Sequence, residues 1–381
     1  MGFHKLEGDP RRREQAVLQF WERHNTFERS INQREGGPRY VFYEGPPTAN
    51  GRPHFGHLLP RIYKDLFPRY KTMRGYFVRR KAGWDCHGLP VELEVEKELG
   101  IKSKAEIESY GLEQFVERCK ASVHKYIKAW EDMIRRMGFW IDLAHPYITY
   151  KDEYIETLWW ELKRIHEQGL LYQGHKILPY CPRCGTPLSS HEVAQGYRNV
   201  EDPSVFVLMP LADAPERAFL VWTTTPWTLP ANVALAVDPN ATYVEVAHDG
   251  KRLILAYPRL SAVLGEGTEV VRELRGAELV GLRYRPLYGL ADPEKAYRVV
   301  GADFVSMEEG TGIVHIAPAF GEEDYQLGKD EGLPFVQPVD RAGKFTDEFP
   351  LAAGTFVKDA DPLIIQDLRG KARLLKAETY A

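Results

Sequence analysis

A short apolar run, Tyr40-Val41-Phe42-Tyr43, stops at Glu44-Gly45-Pro46-Pro47, and a helical pattern takes over from about His54 to Thr72. Four apolar residues bounded by turn residues read as a buried strand. The order then repeats. Residues 76–80 read as a second strand, 83–90 as a turn-rich loop, and 91–138 carry helical spacing with one break near Tyr110-Gly111. A further helix fits residues 153–168, and an amphipathic one over residues 12–29 places Val17, Phe20, Trp21 and Phe27 at helical spacing. Strand, loop, helix, strand, loop, helix is the order of an open parallel α/β sheet. Pro60 and Pro68 fall inside the first helical pattern and are expected to kink or interrupt it.

After residue 200 the pattern changes to short β-prone runs between turn residues, at 205–209, 219–225, 243–247, 253–256, 297–300, 312–316 and 355–357. Such runs suggest a β-barrel or sandwich. The charge changes with the texture. The net −4 divides into +6 over residues 1–198, with 32 Lys and Arg against 26 Asp and Glu, and −10 over residues 199–381, with 18 against 28. At 381 residues the chain has room for two or three domains, and the split marks two regions with different surfaces. With 44% hydrophobic and 27% charged residues, disordered and collagen-like chains are excluded.

The four cysteines, Cys86, Cys119, Cys181 and Cys184, are too few and too unevenly spaced for a disulfide framework, which points to a reducing compartment. The first ten residues lack the apolar stretch of a signal peptide, position 6 is Leu where a myristoylation signal needs Ser or Thr, and Arg11-Arg12-Arg13 runs into Glu14-Gln15. No segment approaches the roughly 18 uninterrupted apolar residues of a membrane span. The expectation is a soluble, cytoplasmic protein.

Three constellations carry chemistry. His54-Phe55-Gly56-His57 opens a helix just after the first strand, where ligands of open α/β sheets bind and where a helix N-terminus favours phosphate. Spaced three apart, the two imidazoles project from one face, and Gly56 removes a side chain where a base or ribose would lie against the backbone. A pair of surface histidines at a helix start is the plain alternative. Cys181-Pro182-Arg183-Cys184 has the spacing of half a zinc site, with His175 or His191 needed to complete it locally; a redox pair lacks the compact βαβ setting such pairs occupy. The third, Trp222-Thr223-Thr224-Thr225-Pro226-Trp227-Thr228-Leu229-Pro230-Ala231-Asn232, is by itself a β-prone stretch with solvated hydroxyls. The basic segment 69–81, with Arg69, Lys71, Arg74, Arg79, Arg80 and Lys81, is either a phosphate-binding patch or solvated surface charge.

The run Gly45-Pro46-Pro47-Thr48-Ala49-Asn50-Gly51-Arg52-Pro53-His54-Phe55-Gly56-His57, with Lys64-Asp65, Arg69-Tyr70-Lys71-Thr72-Met73-Arg74-Gly75 and Gly83-Trp84-Asp85-Cys86-His87-Gly88-Leu89-Pro90-Val91-Glu92, resembles the class I aminoacyl-tRNA synthetases. Gly-Trp-Asp-x-His-Gly-Leu-Pro is similar to the isoleucyl branch in particular, and the likeness runs through essentially the whole chain. Phe55 stands where that family often has Ile or Val.

The resemblance implies that His54, Gly56 and His57 bind ATP, with the two histidines catalytic in adenylate formation. It implies that Asp85 holds the α-ammonium of the amino acid and that Pro46 walls its aliphatic pocket. It also implies an editing pocket that hydrolyses mischarged tRNA, formed by Thr223, Thr224, Thr225, Trp227, Thr228 and Asn232 with His315 and Asp324. One methylene is worth only about 1–3 kcal/mol in an apolar pocket, a limit for which the isoleucyl enzymes are themselves the standard illustration. A second pocket, open to valine and closed to isoleucine, then separates the two by size.

The implied architecture is α/β: a helical extension over 1–40, the first half of a Rossmann catalytic domain over 41–175, a zinc knuckle and linker over 176–198 with Cys181 and Cys184 as ligands, and an inserted β-barrel-like editing domain over 199–381. Its implied partners are ATP with Mg²⁺, Zn²⁺, isoleucine and tRNA(Ile), in a monomer. The family's Lys-Met-Ser-Lys-Ser motif is absent from the 381 residues, so an N-terminal portion that does not make the adenylate alone is expected. A free-standing editing protein, a small-molecule nucleotidyltransferase and a valine-specific relative are the alternatives.

Overall fold

A computed structural model describes residues 8–49 and 51–380, and Asn50 of the histidine-containing run lies outside them. The chain forms two compact units, 1–173 and 174–381.

In the first unit three parallel strands, β1 (Phe42–Tyr43), β2 (Arg80–Trp84) and β3 (Asp142–Ile148), lie in that order, with Phe42 opposite Arg80 and Gly83 opposite Tyr147. Two corrections to the strands read from the sequence have physical causes. The first strand is an edge, with Val41 72% and Tyr43 61% exposed, so it is not buried. The second strand lies at Arg80–Trp84, and residues 76–79 before it reach the sheet only through a single bridge from Phe77 to Arg39. Two cations and a glycine disguise β2. Arg80 is nonetheless 1% exposed because its guanidinium donates to Thr72 Oγ1 at 2.7 Å and lies 5.5 Å from the ring centre of Trp140, and Gly83 is required because a Cβ there would stand 2.2 Å from the ring of Tyr147.

Helices α1 (Pro10–Arg23) and α2 (Thr26–Asn32) replace the single leading helix, and Asn25 between them is left-handed at φ 45°. Asp9 caps α1 by accepting the Arg11 N–H, with Pro10 in the first turn. The third helix, α3 (Leu58–Met73), runs through both prolines. Pro60 sits in the first turn, where its missing N–H has no intrahelical partner, and Pro68 is buried inside a helix whose Thr72 hydroxyl donates back to the Pro68 carbonyl at 2.8 Å. Between β2 and β3 run α4 (Leu89–Leu99), α5 (Lys104–Tyr110) and α6 (Leu112–Arg136), so the chain breaks at Gly100 as well as at Gly111. Trp84, Ala82, Val91, Val123, Trp130, Ile134 and Phe139 form their common core. Helix α7 (Asp152–Glu167) follows, with no buried residue.

The basic segment is not one surface. Arg80 is interior, and Arg69 pairs with Asp65 at 2.5 Å and lies 4.0 Å from the ring centre of Trp140.

The second unit opens with a hairpin, β4 (Tyr180–Cys181) and β5 (Thr186–Pro187), then α8 (Ser190–Ala194). It continues through β6 (Asp202–Pro210), β7 (Arg217–Thr223), β8 (Ala234–Val237), β9 (Thr242–His248), β10 (Lys251–Ala256), α9 (Leu260–Leu264), β11 (Val270–Arg275), α10 (Gly276–Leu279), β12 (Arg298–Gly301), β13 (Val314–Ile316), α11 (Glu322–Asp330), α12 (Val357–Gly370) and β14 (Leu374–Tyr380). A six-stranded sheet of order β11-β9-β10-β7-β6-β14 stands beside a three-stranded one of order β12-β8-β13. Strand periodicity explains the continuous apolar runs: Val205, Val207 and Met209 enter one core with β8 and α12, while Phe206 and Leu208 point into another, so β6 is buried on both faces. The run at 355–357 is not a strand, because Val357 begins α12, whose Ala360, Ile364 and Leu368 cover the first core. None of the described helices is long and apolar enough to cross a membrane.

Candidate functional site

The histidine turn sits beyond the carboxyl end of β1. His54 is extended (φ −127°, ψ 171°) and caps a 3₁₀ turn over Phe55–His57 that leads into α3. Its Nδ1 accepts the Gly56 N–H at 3.2 Å, and its own N–H donates to Nδ1 of His57 at 3.0 Å. This is a reciprocal capping box built from two imidazoles, whose ring centres are 3.8 Å apart. An Nδ1 that accepts carries no hydrogen, so each ring holds its proton on Nε2, leaving one N–H donor on each. Burial, His54 and Arg61 all lower the proton affinity of His57, which keeps it neutral near pH 7. A Cβ at Gly56 would stand 3.0 Å from Cε1 of His54, so the glycine also makes room for the capping ring.

Asp85 follows β2 and pairs with the segment after β1. Its N–H donates to the Pro47 carbonyl at 3.1 Å, Thr48 Oγ1 donates to Oδ2 at 3.2 Å, and the His87 N–H reaches Oδ1 at 3.4 Å. Half-buried Pro46 precedes this bridge, so Pro46 and Asp85 are brought to adjacent strand ends. Two donors orient the carboxylate and leave lone pairs for a cation. Sequence reasoning missed the groups beneath: Glu44, 4% exposed, accepts from Lys64 Nζ at 2.5 Å, and Trp130 from α6 touches His57 with ring centres 4.6 Å apart. Glu44 stood within the quoted turn, whereas Trp130, 79 residues beyond Gly51, had no local signal.

In the second unit the threonine strip leaves β7 at Thr223 and turns through a 3₁₀ segment, Pro226–Ala231. Thr223 and Thr225 hydroxyls are 3.2 Å apart, Thr225 and Thr228 hydroxyls 3.2 Å, and Thr228 Oγ1 lies 3.0 Å from Nε2 of His315 on β13. Because Thr228 donates its hydrogen to the Thr225 carbonyl at 2.8 Å, it accepts from His315, whose Nδ1 is then an acceptor buried with no partner among the described residues. Burial drops His315 to about 4, so it is neutral. Asp324, in the first turn of α11, accepts the Ala317 N–H at 2.9 Å and is pushed up to about 6 by burial. Trp227 meets Phe320 edge-on at 4.9 Å.

Two residues of the strip stand apart. Thr224 lies at the bend outside this chain of hydroxyls, and Asn232 is occupied internally, donating to the Ala234 carbonyl at 2.9 Å and accepting from Tyr284 at 2.6 Å. Asn232, 4% exposed, thereby locks the loop. Asp361 of α12, equally hidden from the sequence, is 2% exposed with one oxygen unpartnered and takes the backbone N–H of Trp227; burial raises it to about 6.

Cys181 and Cys184 share one tight turn, with the Cys184 N–H directed at Cys181 Sγ at 3.4 Å. Neither histidine completes a metal site: His175 packs on Phe335 and His191 bonds Gln195 at 2.8 Å. Among the described residues no three His, Cys, Asp or Glu side chains gather as a metal group, so the donors present make half a tetrahedral zinc site.

The family described as tRNA synthetases class I (I, L, M and V) matches residues 16–322. The isoleucine-tRNA ligase of Clostridium acetobutylicum is 52% identical over 96% of this chain and 36% of its own length, and that of Thermus thermophilus 54% identical over 96% and 35%. The isoleucine-tRNA ligase 2 of Bacillus anthracis is 51% identical over 97% and 36%. The chain thus spans about a third of the length of the curated relatives it matches. A match over most of the chain, joined to a paired-histidine cap between the first parallel strand and α3, makes this chain a member of the class I tRNA synthetase family.

Proposed function

We propose that the chain carries the first half of the amino-acid activation site of an isoleucine-specific class I ligase, together with a hydrolytic pocket for mischarged tRNA. The observation that supports it most is the reciprocal histidine cap, together with the oriented carboxylate of Asp85 at the end of β2. ATP phosphates lie against the Nε2–H donors of His54 and His57, the ammonium of isoleucine on Asp85, and its side chain against Pro46. As the amino-acid carboxylate attacks the α-phosphorus and pyrophosphate leaves, negative charge builds on phosphoryl oxygens. Two neutral, fixed donors stabilise that charge without giving up a proton. Mg²⁺ would neutralise the phosphates and ride on them, since it needs few protein oxygens.

In the second unit, Thr223, Thr224, Thr225, Thr228 and Trp227 hold the terminal ribose and ester of valyl-tRNA(Ile), Asp324 takes the ammonium, and His315 shapes the side-chain pocket. Zn²⁺ enters only as far as Cys181 and Cys184 supply two thiolates, and no step passes through it.

Calorimetric ATP binding by the chain is expected to be lost in His57→Ala, and hydrolysis of valyl-tRNA(Ile) to be lost in Asp324→Ala. ATP binding indifferent to His57 would overturn the first assignment, and hydrolysis indifferent to Asp324 the second.

A further inference from the structure

The histidine pair rests on a buried cation that neither the sequence motif nor the phosphate chemistry calls for. Arg61, one turn into α3, has a side chain only 5% exposed, so it cannot reach a ligand. Its Nη1 donates to the His57 carbonyl at 3.0 Å, its Nη2 lies 3.9 Å from Oε1 of buried Glu44, and its guanidinium carbon is 4.9 Å from the ring centre of Trp130. That indole is 2% exposed, fixed at its edge by donation to the Gly51 carbonyl at 2.9 Å, and in contact with the imidazole of His57 at 4.6 Å. Backbone and ring of His57 are thus held by one guanidinium, directly and through the indole.

We propose that Arg61 is a positioning residue for His57, which it locks in the turn through the His57 carbonyl and the Trp130 ring while Glu44 holds the guanidinium in place. A guanidinium suits this role better than an ammonium, because its planar face lies on the indole while its edge still donates. It also adds a fixed positive charge behind the imidazole. Arg61 from α3 is the fixed charge bearing on His57, His54 is the titratable neighbour in its own turn, and Trp130 of α6 brings no charge; burial, His54 and Arg61 all disfavour a proton on His57, against a backbone hydrogen bond from His54 that favours it. This inference rests on the phosphate-binding role of His57 only for its functional meaning, since the positioning is a property of the chain itself.

The test is nitrogen NMR of histidine-labelled chain across pH. In the unaltered protein His57 is expected as the Nε2–H tautomer, titrating below the ordinary histidine value. Arg61→Met is expected to mix the tautomers and move the His57 midpoint upward; Trp130→Phe, which keeps an aromatic face, is expected to stay close to the unaltered tautomer. Should Arg61→Met unfold because Glu44 is left short of a partner, the double variant Glu44→Gln/Arg61→Met removes both charges and is expected to give the same His57 change. An unchanged His57 tautomer and midpoint in the folded single or double variant overturns the proposal. Added ATP reports separately: if it fails to perturb His54 and His57 in the unaltered chain, the phosphate reading fails, while the Arg61 effect is still read from the tautomer.

Discussion

Thr228 and His315, 87 residues apart, share a hydrogen bond of 3.0 Å in which the imidazole donates and the hydroxyl accepts. The bond fixes the tautomer of a histidine that burial keeps neutral, and joins β13 to the threonine loop. Thr228→Val keeps the shape and deletes the acceptor, leaving both ring nitrogens of His315 without partners. Equilibrium denaturation is expected to show a loss of about 1–3 kcal/mol, the scale of an unsatisfied buried polar group. Under the editing assignment, hydrolysis of valyl-tRNA(Ile) falls with it.

Asp324 is ionised only above about pH 6, so under the editing assignment its capture of an ammonium is gained as pH rises through that value. Hydrolysis of valyl-tRNA(Ile) is expected to climb with pH across about 6 and to become low and flat there in Asp324→Asn. Stability runs the other way. Between the ordinary value of 3.8 and about 6, the folded chain holds a proton that the unfolded chain has released, so the contribution of this group declines as pH rises through that window, and Asp361 adds to the decline. Denaturation at several pH values, compared between the unaltered chain and Asp324→Asn, reads the slope.

Gly83→Ala places a methyl 2.2 Å from the ring of Tyr147, whose hydroxyl donates to the Glu44 carbonyl. Overpacking of this kind costs about 1–3 kcal/mol. The expected result is a lower thermal midpoint for Gly83→Ala and, under the activation assignment, weaker isoleucine binding by calorimetry, since Asp85 follows β2.

Removing zinc is expected to leave this chain folded. Two thiolates make half a tetrahedral site, so chelator treatment should leave both the far-ultraviolet circular dichroism and the melting temperature unchanged. A marked drop in melting temperature would mean that the cysteine pair finds further ligands.

By itself the sequence determined the α/β order of the first unit, the β-rich character of the second, and the histidine and threonine constellations, because these depend on local periodicity, turn residues and motif spacing. Only the tertiary structure decided where β2 begins, since Arg80-Lys81-Ala82-Gly83 becomes a strand through partners far away in Thr72, Trp140 and Tyr147. It also decided that Pro68 continues a helix, that Asn232 locks a loop, and that Arg80 and Arg69 face inward. Glu44, Arg61, Trp130 and Asp361 acquire their roles the same way. A side chain's hydrogen-bond partner and its degree of burial are set by segments up to more than a hundred residues distant, and no local pattern in the chain records them.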